Sequence, residues 1–160
     1  MKPPDRVVFD CNVFFQAFIS GSGPAGQLLQ AVSEKSLTLF VSAFVLEELT
    51  DVLSRPHLAS QFKFTRERVA EYLDSLVQLA TMTTDVPHVF EFPRDPKDAH
   101  YVDLALAVDA KLIVSRDKDL LSLRDAATGE GRDFLSRYPG LLILTPPEVL
   151  KLLAATLPPK

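Results

Sequence analysis

The sequence is poor in several features, and each shortage excludes a class of protein. Cys11 is the single cysteine among 160 residues, so a disulfide within the chain and a cysteine-based zinc site are excluded. No apolar run approaches the roughly 18 residues of a membrane-spanning helix. There are 17 basic residues against 21 acidic ones, a net charge of −4, so tight non-specific binding to a nucleic-acid duplex is not expected.

The remaining composition is that of a folded globular protein. Hydrophobic residues make up 47% of the chain and charged residues 24%, which excludes disorder. The amino terminus passes from Met-Lys-Pro-Pro-Asp directly into a strand-like segment, so no signal peptide is expected. We therefore predict a cytoplasmic protein with one domain over residues 1–160, ordered from about residue 5 to about residue 157.

Short apolar segments alternate with helical patterns along the chain. Strands are predicted at residues 6–9, 37–41, 111–115 and 141–144. Helices are predicted at 11–19, at about 25–34, from Ser42 to before Pro56, from Thr65 to about residue 80, and at 95–109, and a last helix starts near 145–148. Residues 124–140, which include Gly129 and Gly131, are predicted to form a long irregular loop.

This alternation predicts a three-layer α/β/α domain with a mostly parallel sheet. In such a sheet, ligands bind beyond the carboxyl ends of the strands. Asp10 directly follows the first predicted strand, and Asp117 follows the Leu-Ile-Val strand by two residues. The two acids are therefore expected at the same edge of the sheet.

A third acid, Glu48, has an unusual position on its predicted helix. It falls within the apolar stripe of that helix, which is formed by Phe44, Val45, Leu49, Val52 and Leu53. A carboxylate on such a stripe is costly to desolvate unless a cation or a hydrogen-bond donor meets it. Glu47 lies on the other side of the helix and has no such cost, so the pattern favours Glu48 as the functional acid.

A fourth acid, Asp98, lies in the first turn of the helix predicted to begin with Asp95 as N-cap and Pro96 as the first helical residue. Each acid also has a structural explanation: Asp10 as a turn or cap residue, Asp98 as part of a capping arrangement, and Asp117 in a solvated loop. Taken together, they suggest a different role, because Mg²⁺ and Mn²⁺ prefer carboxylate oxygens and water as ligands.

At this point the sequence resembles the PIN-domain nucleases, and the resemblance covers nearly the whole chain in order. The segments that carry it are VVFDCNV at 7–13, SAFVLEELTDVLSRP at 42–56, DPKD at 95–98, LALA at 104–107, LIVSRDKDL at 112–120 and LILTP at 142–146. The chain looks most like the bacterial and archaeal members described as toxins of toxin–antitoxin pairs.

The resemblance implies a metal-dependent ribonuclease that acts on single-stranded RNA with one or two Mg²⁺ or Mn²⁺ ions. By position, it assigns the metal ligands to four acids, which are Asp10, Glu48, Asp98 and Asp117. It makes Asn12 the polar companion of Asp10 and Ser115 a supporting hydroxyl, with Asp119 as a peripheral candidate. It also implies a homodimer or higher oligomer and, for a toxin, an antitoxin protein as partner.

Four basic residues lie close to these acids in the sequence and are candidates for binding RNA phosphates: Arg55, Lys97, Arg116 and Lys118. Each is equally well explained as a solvated surface charge. The three histidines, His57, His88 and His100, show no metal-ligand spacing and are interpreted as surface or turn residues.

Two features depart from the family pattern. Cys11 stands where the family usually has threonine, and the segment 124–140 is longer than expected. Cys11 is interpreted as a small buried apolar residue and not as a nucleophile. Neither departure removes one of the four acids.

Two other functions stay open. A phosphatase with a nucleophilic aspartate after the first strand needs a second aspartate two positions on, where this chain has Asn12. A catalytically silent PIN-like module that binds RNA or a protein partner would have lost one of the acids, and all four are present.

Overall fold

Five parallel strands lie side by side in the order β3-β2-β1-β4-β5 in a computed structural model, which describes residues 5–156. The strands are β1 (Arg6–Phe9), β2 (Thr38–Ser42), β3 (Thr81–Thr83), β4 (Leu112–Val114) and β5 (Leu142–Leu144). Central β1 pairs with β2 on one side and with β4 on the other, and its Val7, Val8 and Phe9 are fully buried. The parallel sheet with its helices confirms the predicted α/β class.

The helices occupy most of the segments between the strands. Their bounds are α1 (Cys11–Ile19), α2 (Pro24–Ser33), α3 (Ala43–Leu53), α4 (Pro56–Phe62), α5 (Arg66–Leu79), α6 (Ala99–Ala107), α7 (Lys118–Leu121), α8 (Gly129–Arg137) and α9 (Pro146–Thr156). Ser42 and Thr65 cap α3 and α5 as predicted, because each side-chain oxygen accepts a backbone N–H three residues on.

The prediction of an irregular loop over residues 124–140 is wrong. Helix α8 occupies half of this segment and starts after Thr128, whose hydroxyl accepts the N–H of Gly131. Gly131 is needed for a close approach, since a Cβ there would lie 1.8 Å from the Asp125 carbonyl oxygen. The two glycines suggested a loop, but the cap and the buried Phe134 favour a helix.

Three short elements are also absent from the predicted set, which are β3, α4 and the four-residue helix α7. Strand β3 is a three-residue edge strand whose Thr81 and Met82 are exposed, so no alternating apolar pattern indicates it. Helix α4 begins at Pro56, where α3 was predicted to have stopped, because proline is well suited to the first position of a new helix.

The segment that begins at Asp95 differs from its prediction as well. Residues Pro96–Asp98 form a 3-10 turn, and α6 starts after it at Ala99. Asp95 holds the N-cap position and Pro96 the first position of this turn, as predicted, but among residues 5–156 the Asp95 side chain has no capping partner. Asp98 therefore lies just before α6 and not inside the first turn of a longer helix.

The two chain ends lie outside the described residues. The expected absence of a signal peptide concerns residues 1–4, and the predicted ordered core includes residue 157, so neither is tested. Within residues 5–156, no helix combines the length and the apolar character that crossing a membrane needs.

Candidate metal centre

Asp10 lies at the carboxyl end of β1, the central strand, and is 3% exposed. Its backbone N–H donates to the Val114 carbonyl of β4, and its side chain caps α1 by accepting the N–H of Val13 at 3.1 Å. Burial raises the pKa of Asp10 to about 6, although hydrogen bonds from Ser115 and Val13 act in the opposite direction. The alternative reading of Asp10 as a cap residue is therefore correct, and capping alone does not explain so buried a carboxylate.

Ser115 connects two of the predicted acids. Its hydroxyl donates a hydrogen bond to Oδ2 of Asp10 and accepts the backbone N–H of Asp117 at 2.9 Å. Ser115 is fully buried at the end of β4, so this connection is shielded from water. Asp117 in turn caps α7, because its Oδ1 accepts the N–H of Asp119 at 3.1 Å.

Glu48 is met by two groups from α6. The Tyr101 hydroxyl donates to Oε1 of Glu48 at 2.7 Å, and Nε2 of His100 lies 3.4 Å from the same oxygen. Burial by itself raises the pKa of Glu48, but the hydrogen bonds from His100 and Tyr101 outweigh it and lower the pKa below its usual range. The Glu48 side chain is 40% exposed, and its lowered pKa favours the ionised form.

Asp98 joins the acids into one cluster. Its pKa is strongly raised, first by burial, then by hydrogen bonding of its protonated form with the Asp117 carboxyl group and by the charges of Asp95, Asp117 and Glu48. Two sets of side chains have ligand atoms within 4.8 Å of one another, namely Glu48, Asp98, His100 and Asp95, Asp117, Asp119. The structure thus brings the four predicted acids to one edge of the sheet.

The donor set fits a hard divalent cation. Within residues 5–156, no lysine or arginine forms an ion pair with Asp10, Asp98 or Asp117. Burial is the main cause of the raised pKa values of Asp10 and Asp98, and the neighbouring carboxylates, which no cation neutralises, raise both pKa values further. A bound Mg²⁺ or Mn²⁺ would reverse the local charge and favour the ionised forms.

The remaining predicted residues lie around this cluster with fewer contacts. Asn12, Lys97, Arg116 and Lys118 are all exposed. Arg55 is held on the surface of α3 by an ion pair to Asp51 at 3.0 Å, which favours the interpretation of Arg55 as a structural charge. Asp119 is half-buried and lies 4.0 Å from Arg94.

Two residues of the site are missing from the predictions. Tyr101 is 1% exposed, and its hydroxyl accepts the backbone N–H of Cys11 at 2.9 Å while it donates to Glu48. His100 was interpreted as an ordinary surface or turn residue, which is wrong, since its ring lies against Glu48 and stacks on Tyr101. The signal available in the sequence is the spacing, because both residues follow Asp98 within one helical turn.

Cys11 is 6% exposed, which agrees with its interpretation as a small buried residue. Burial, together with the charges of Glu48 and Asp10, raises the pKa of its thiol to about 12. The thiol therefore stays protonated at neutral pH and is unsuited to act as a nucleophile.

We expect the Tyr101→Phe variant to bind a divalent ion about 10- to 100-fold more weakly, because Glu48 loses the donor that orients it. Stability should also fall by about 1–3 kcal/mol, since the buried N–H of Cys11 loses its acceptor. Tyr72→Phe is the matched control, because it removes the hydroxyl that donates to the Phe14 carbonyl at 2.6 Å. Denaturation and divalent-metal titration of both variants test this role of Tyr101. Equal weakening of metal binding in Tyr101→Phe and Tyr72→Phe would contradict it.

Comparison with known proteins agrees with this geometry. A family model described as the PIN domain matches residues 6–119. The chain is also similar to the uncharacterized protein MJ1680 of Methanocaldococcus jannaschii, with 28% identity over 120 residues that cover 75% of this chain and 76% of the relative. PIN domains are generally metal-dependent nucleases, and acidic side chains that could hold a metal lie together in this structure. The chain therefore belongs to the PIN domain family.

Proposed function

We propose that this protein is a metal-dependent endoribonuclease that hydrolyses phosphodiester bonds of single-stranded RNA. The observation that carries the proposal is the carboxyl cluster at the ends of β1 and β4, where Ser115 connects Asp10 with Asp117, and Glu48 and Asp98 offer ligand atoms within 4.8 Å of each other. Four acids gathered without a cation repel a phosphate, so the arrangement serves RNA cleavage only when a divalent ion is bound.

Asp10, Glu48, Asp98 and Asp117 would hold one or two Mg²⁺ or Mn²⁺ ions, directly or through water. When bound, such ions activate a water and stabilise the charge that develops on the phosphate and on the leaving oxygen. In this proposal Ser115 fixes the positions of Asp10 and Asp117 relative to each other. Tyr101 orients Glu48, and Asn12 contributes a polar group beside Asp10.

The positive charges that would hold the RNA backbone are those of Lys97, Arg116 and Lys118. All three are exposed next to the acids, and in the described part of the chain none of them forms an ion pair. Arg55 is a weaker candidate because Asp51 already pairs with it. A single strand suits this site better than a duplex, because its backbone can bend into the cluster.

The toxin role, the antitoxin partner, the homodimer and the cytoplasmic location stay predictions that depend on the family resemblance and on composition. They concern how the proposed nuclease is regulated and where it acts, and they do not alter the proposed reaction. A silent binding module is the less favoured alternative, because all four acids are retained at the site.

The test compares two adjacent glutamates of α3. We expect Glu48→Gln to reduce Mn²⁺- or Mg²⁺-dependent cutting of a labelled single-stranded RNA by at least about 10- to 100-fold, because it removes one ligand charge. Glu47→Gln makes the same charge change on an exposed neighbour and should cut like the wild type. A wild type that cuts no RNA in either metal would contradict the proposal, and so would equal cutting by both variants.

A further inference from the structure

Phe44 is exposed where the sequence pattern predicts a buried residue. Its position in the sequence places it in the apolar stripe of α3, yet it is 65% exposed, whereas Val45 and Leu49 of the same stripe are fully buried. A large aromatic side chain at this exposure carries an unfavourable hydration cost in the free protein. Phe44 lies in the first turn of α3, one turn before Glu48, which places it beside the candidate metal centre.

The ring of Phe44 forms one wall of a cavity of about 300 Å³. Val86, Pro96, His100 and Lys97 also line it. The ring centroids of Phe44 and His100 are 6.0 Å apart with 37° between the planes, and His100 continues the stack onto Tyr101 at 4.1 Å. The cavity thus has an open aromatic face and mostly apolar sides.

His100 connects this cavity to the metal centre. One edge of its ring faces Glu48 at 3.4 Å, while its ring lies between those of Phe44 and Tyr101. Lys97 is the residue directly before Asp98. One bound molecule could therefore place a ring against Phe44 and a phosphate at the acids.

The charges around the cavity suit a neutral ring attached to an anion. The carboxylate of Asp103 is already satisfied, because it accepts the N–H groups of Val89 at 2.9 Å and Phe90 at 2.7 Å and lies 2.8 Å from Nδ1 of His88. Lys97, in contrast, has no ion-pair partner among residues 5–156. One free positive charge beside an aromatic wall matches a nucleotide, with its base on the ring and its phosphate at the lysine.

We propose that Phe44, His100 and the cavity beside them form a subsite for one unpaired nucleobase of the RNA, next to the phosphate that is cut. The base stacks on the exposed ring of Phe44, and Lys97 contacts the adjoining phosphate. This inference rests on the proposed ribonuclease function and adds to it the part of the substrate that the protein grips. It also explains a preference for single strands, because a base in a duplex cannot reach the ring.

The experiment measures binding separately from cutting. A fluorescein-labelled single-stranded RNA of mixed sequence is titrated with protein in Ca²⁺, which takes the same oxygen ligands as Mg²⁺, and a gel checks that the RNA stays intact. A series of the same RNA carries a single abasic nucleotide at each position in turn. The variants are Phe44→Ala, Phe44→Tyr and, as control, Val77→Ala. Val77 is 52% exposed near the end of α5, just before β3 begins, and so lies towards the opposite edge of the sheet.

We expect Phe44→Ala to weaken binding by between about 5- and 150-fold, the loss that corresponds to one base–aromatic stack. Phe44→Tyr should bind like the wild type because it keeps the ring, and Val77→Ala should be unaffected. The wild type should show one abasic position that weakens binding most, and this penalty should disappear in Phe44→Ala, because the base and the ring act as a pair.

The outcomes separate this subsite from the nuclease itself. If Phe44→Ala binds every RNA like Val77→Ala while the wild type cuts RNA, the subsite is wrong and the nuclease stands. If the wild type binds through Phe44 but cuts nothing, the nuclease is wrong and the base subsite stands. If Phe44→Ala changes only the oligomeric state measured by light scattering, the Phe44 ring packs against a second copy of the chain. That result overturns the subsite. A wild type that binds no RNA overturns both.

Discussion

Replacing Asp10 by asparagine is expected to remove the metal-dependent activity while leaving the fold at least as stable as before. Asparagine is nearly the same size, its carbonyl can still accept the N–H of Val13, and its NH2 group can donate to the Ser115 hydroxyl that the carboxylate accepts from. It cannot supply the negative charge that a divalent ion needs, so we expect cutting to fall by at least about 100-fold. Without metal, the stability of the fold should be unchanged or higher, because a carboxyl group whose pKa burial raises to about 6 is no longer present.

Single-turnover cleavage over a range of metal concentrations, together with urea denaturation in EDTA, tests both parts of this prediction. Asp109→Asn is the matched control, since Asp109 lies before β4 at the other edge of the sheet and its side chain is 79% exposed. A variant that loses activity and also loses stability would make Asp10 a structural cap only. Full activity of Asp10→Asn would remove it from the site.

The second large effect is a pH dependence of stability that metal reverses. The pKa values of Asp10 and Asp98 are higher in the folded state than their usual values, so the folded protein holds protons that the unfolded chain releases. The two carboxyl groups make their full contribution to the free energy of unfolding below the pKa of about 3.9 that they have in the unfolded chain. This contribution is lost as the pH rises through their pKa values in the folded protein. In EDTA, the free energy of unfolding should therefore fall between pH 5 and pH 8. A divalent ion at about 100 times its Kd would add about 2.7 kcal/mol at the high end.

Urea denaturation at several pH values, with EDTA or with Mn²⁺, measures this effect. The pKa of His88 is also raised, because His88 forms a hydrogen bond with Asp103. The free energy of unfolding therefore also falls as the pH rises above the usual pKa of histidine. Asp98→Asn should therefore flatten most of the pH dependence, whereas His88→Gln should flatten only the part above about pH 6.5. Equal pH dependence with and without Mn²⁺ would contradict a metal site at these acids.

The acids could be predicted because their positions follow from simple rules. A residue that ends a buried strand must lie at the carboxyl edge of a parallel sheet, and this places Asp10 and Asp117 without knowledge of any contact. Glu48 could be selected over Glu47 because a carboxylate on an apolar stripe needs a partner. Family and fold class followed from the order of these segments, and the structure and the comparisons confirm both.

The partners of these acids could not be predicted in the same way. In the sequence, Tyr101 is indistinguishable from the other apolar residues of α6. Its hydroxyl has a role only in the folded protein, where it forms hydrogen bonds with Cys11 and Glu48. The position of Phe44 on the helix pattern indicates burial, but its side chain opens into a cavity built by residues 40 to 60 positions further along the chain. Helix α8 and strand β3 escaped prediction because a side-chain cap and an edge pairing outweigh local propensity.

The central place of β1 has a consequence for the order in which the protein becomes competent during synthesis. Strands β1, β2 and β3 can pair as soon as they leave the ribosome, whereas the other edge of β1 waits for β4, and Ser115 meets Asp10 across 105 positions of chain. A growing chain that contains Asp10 and Glu48 still lacks Asp98 and Asp117. All four acids are therefore present together only after β4 has been synthesised, late in translation.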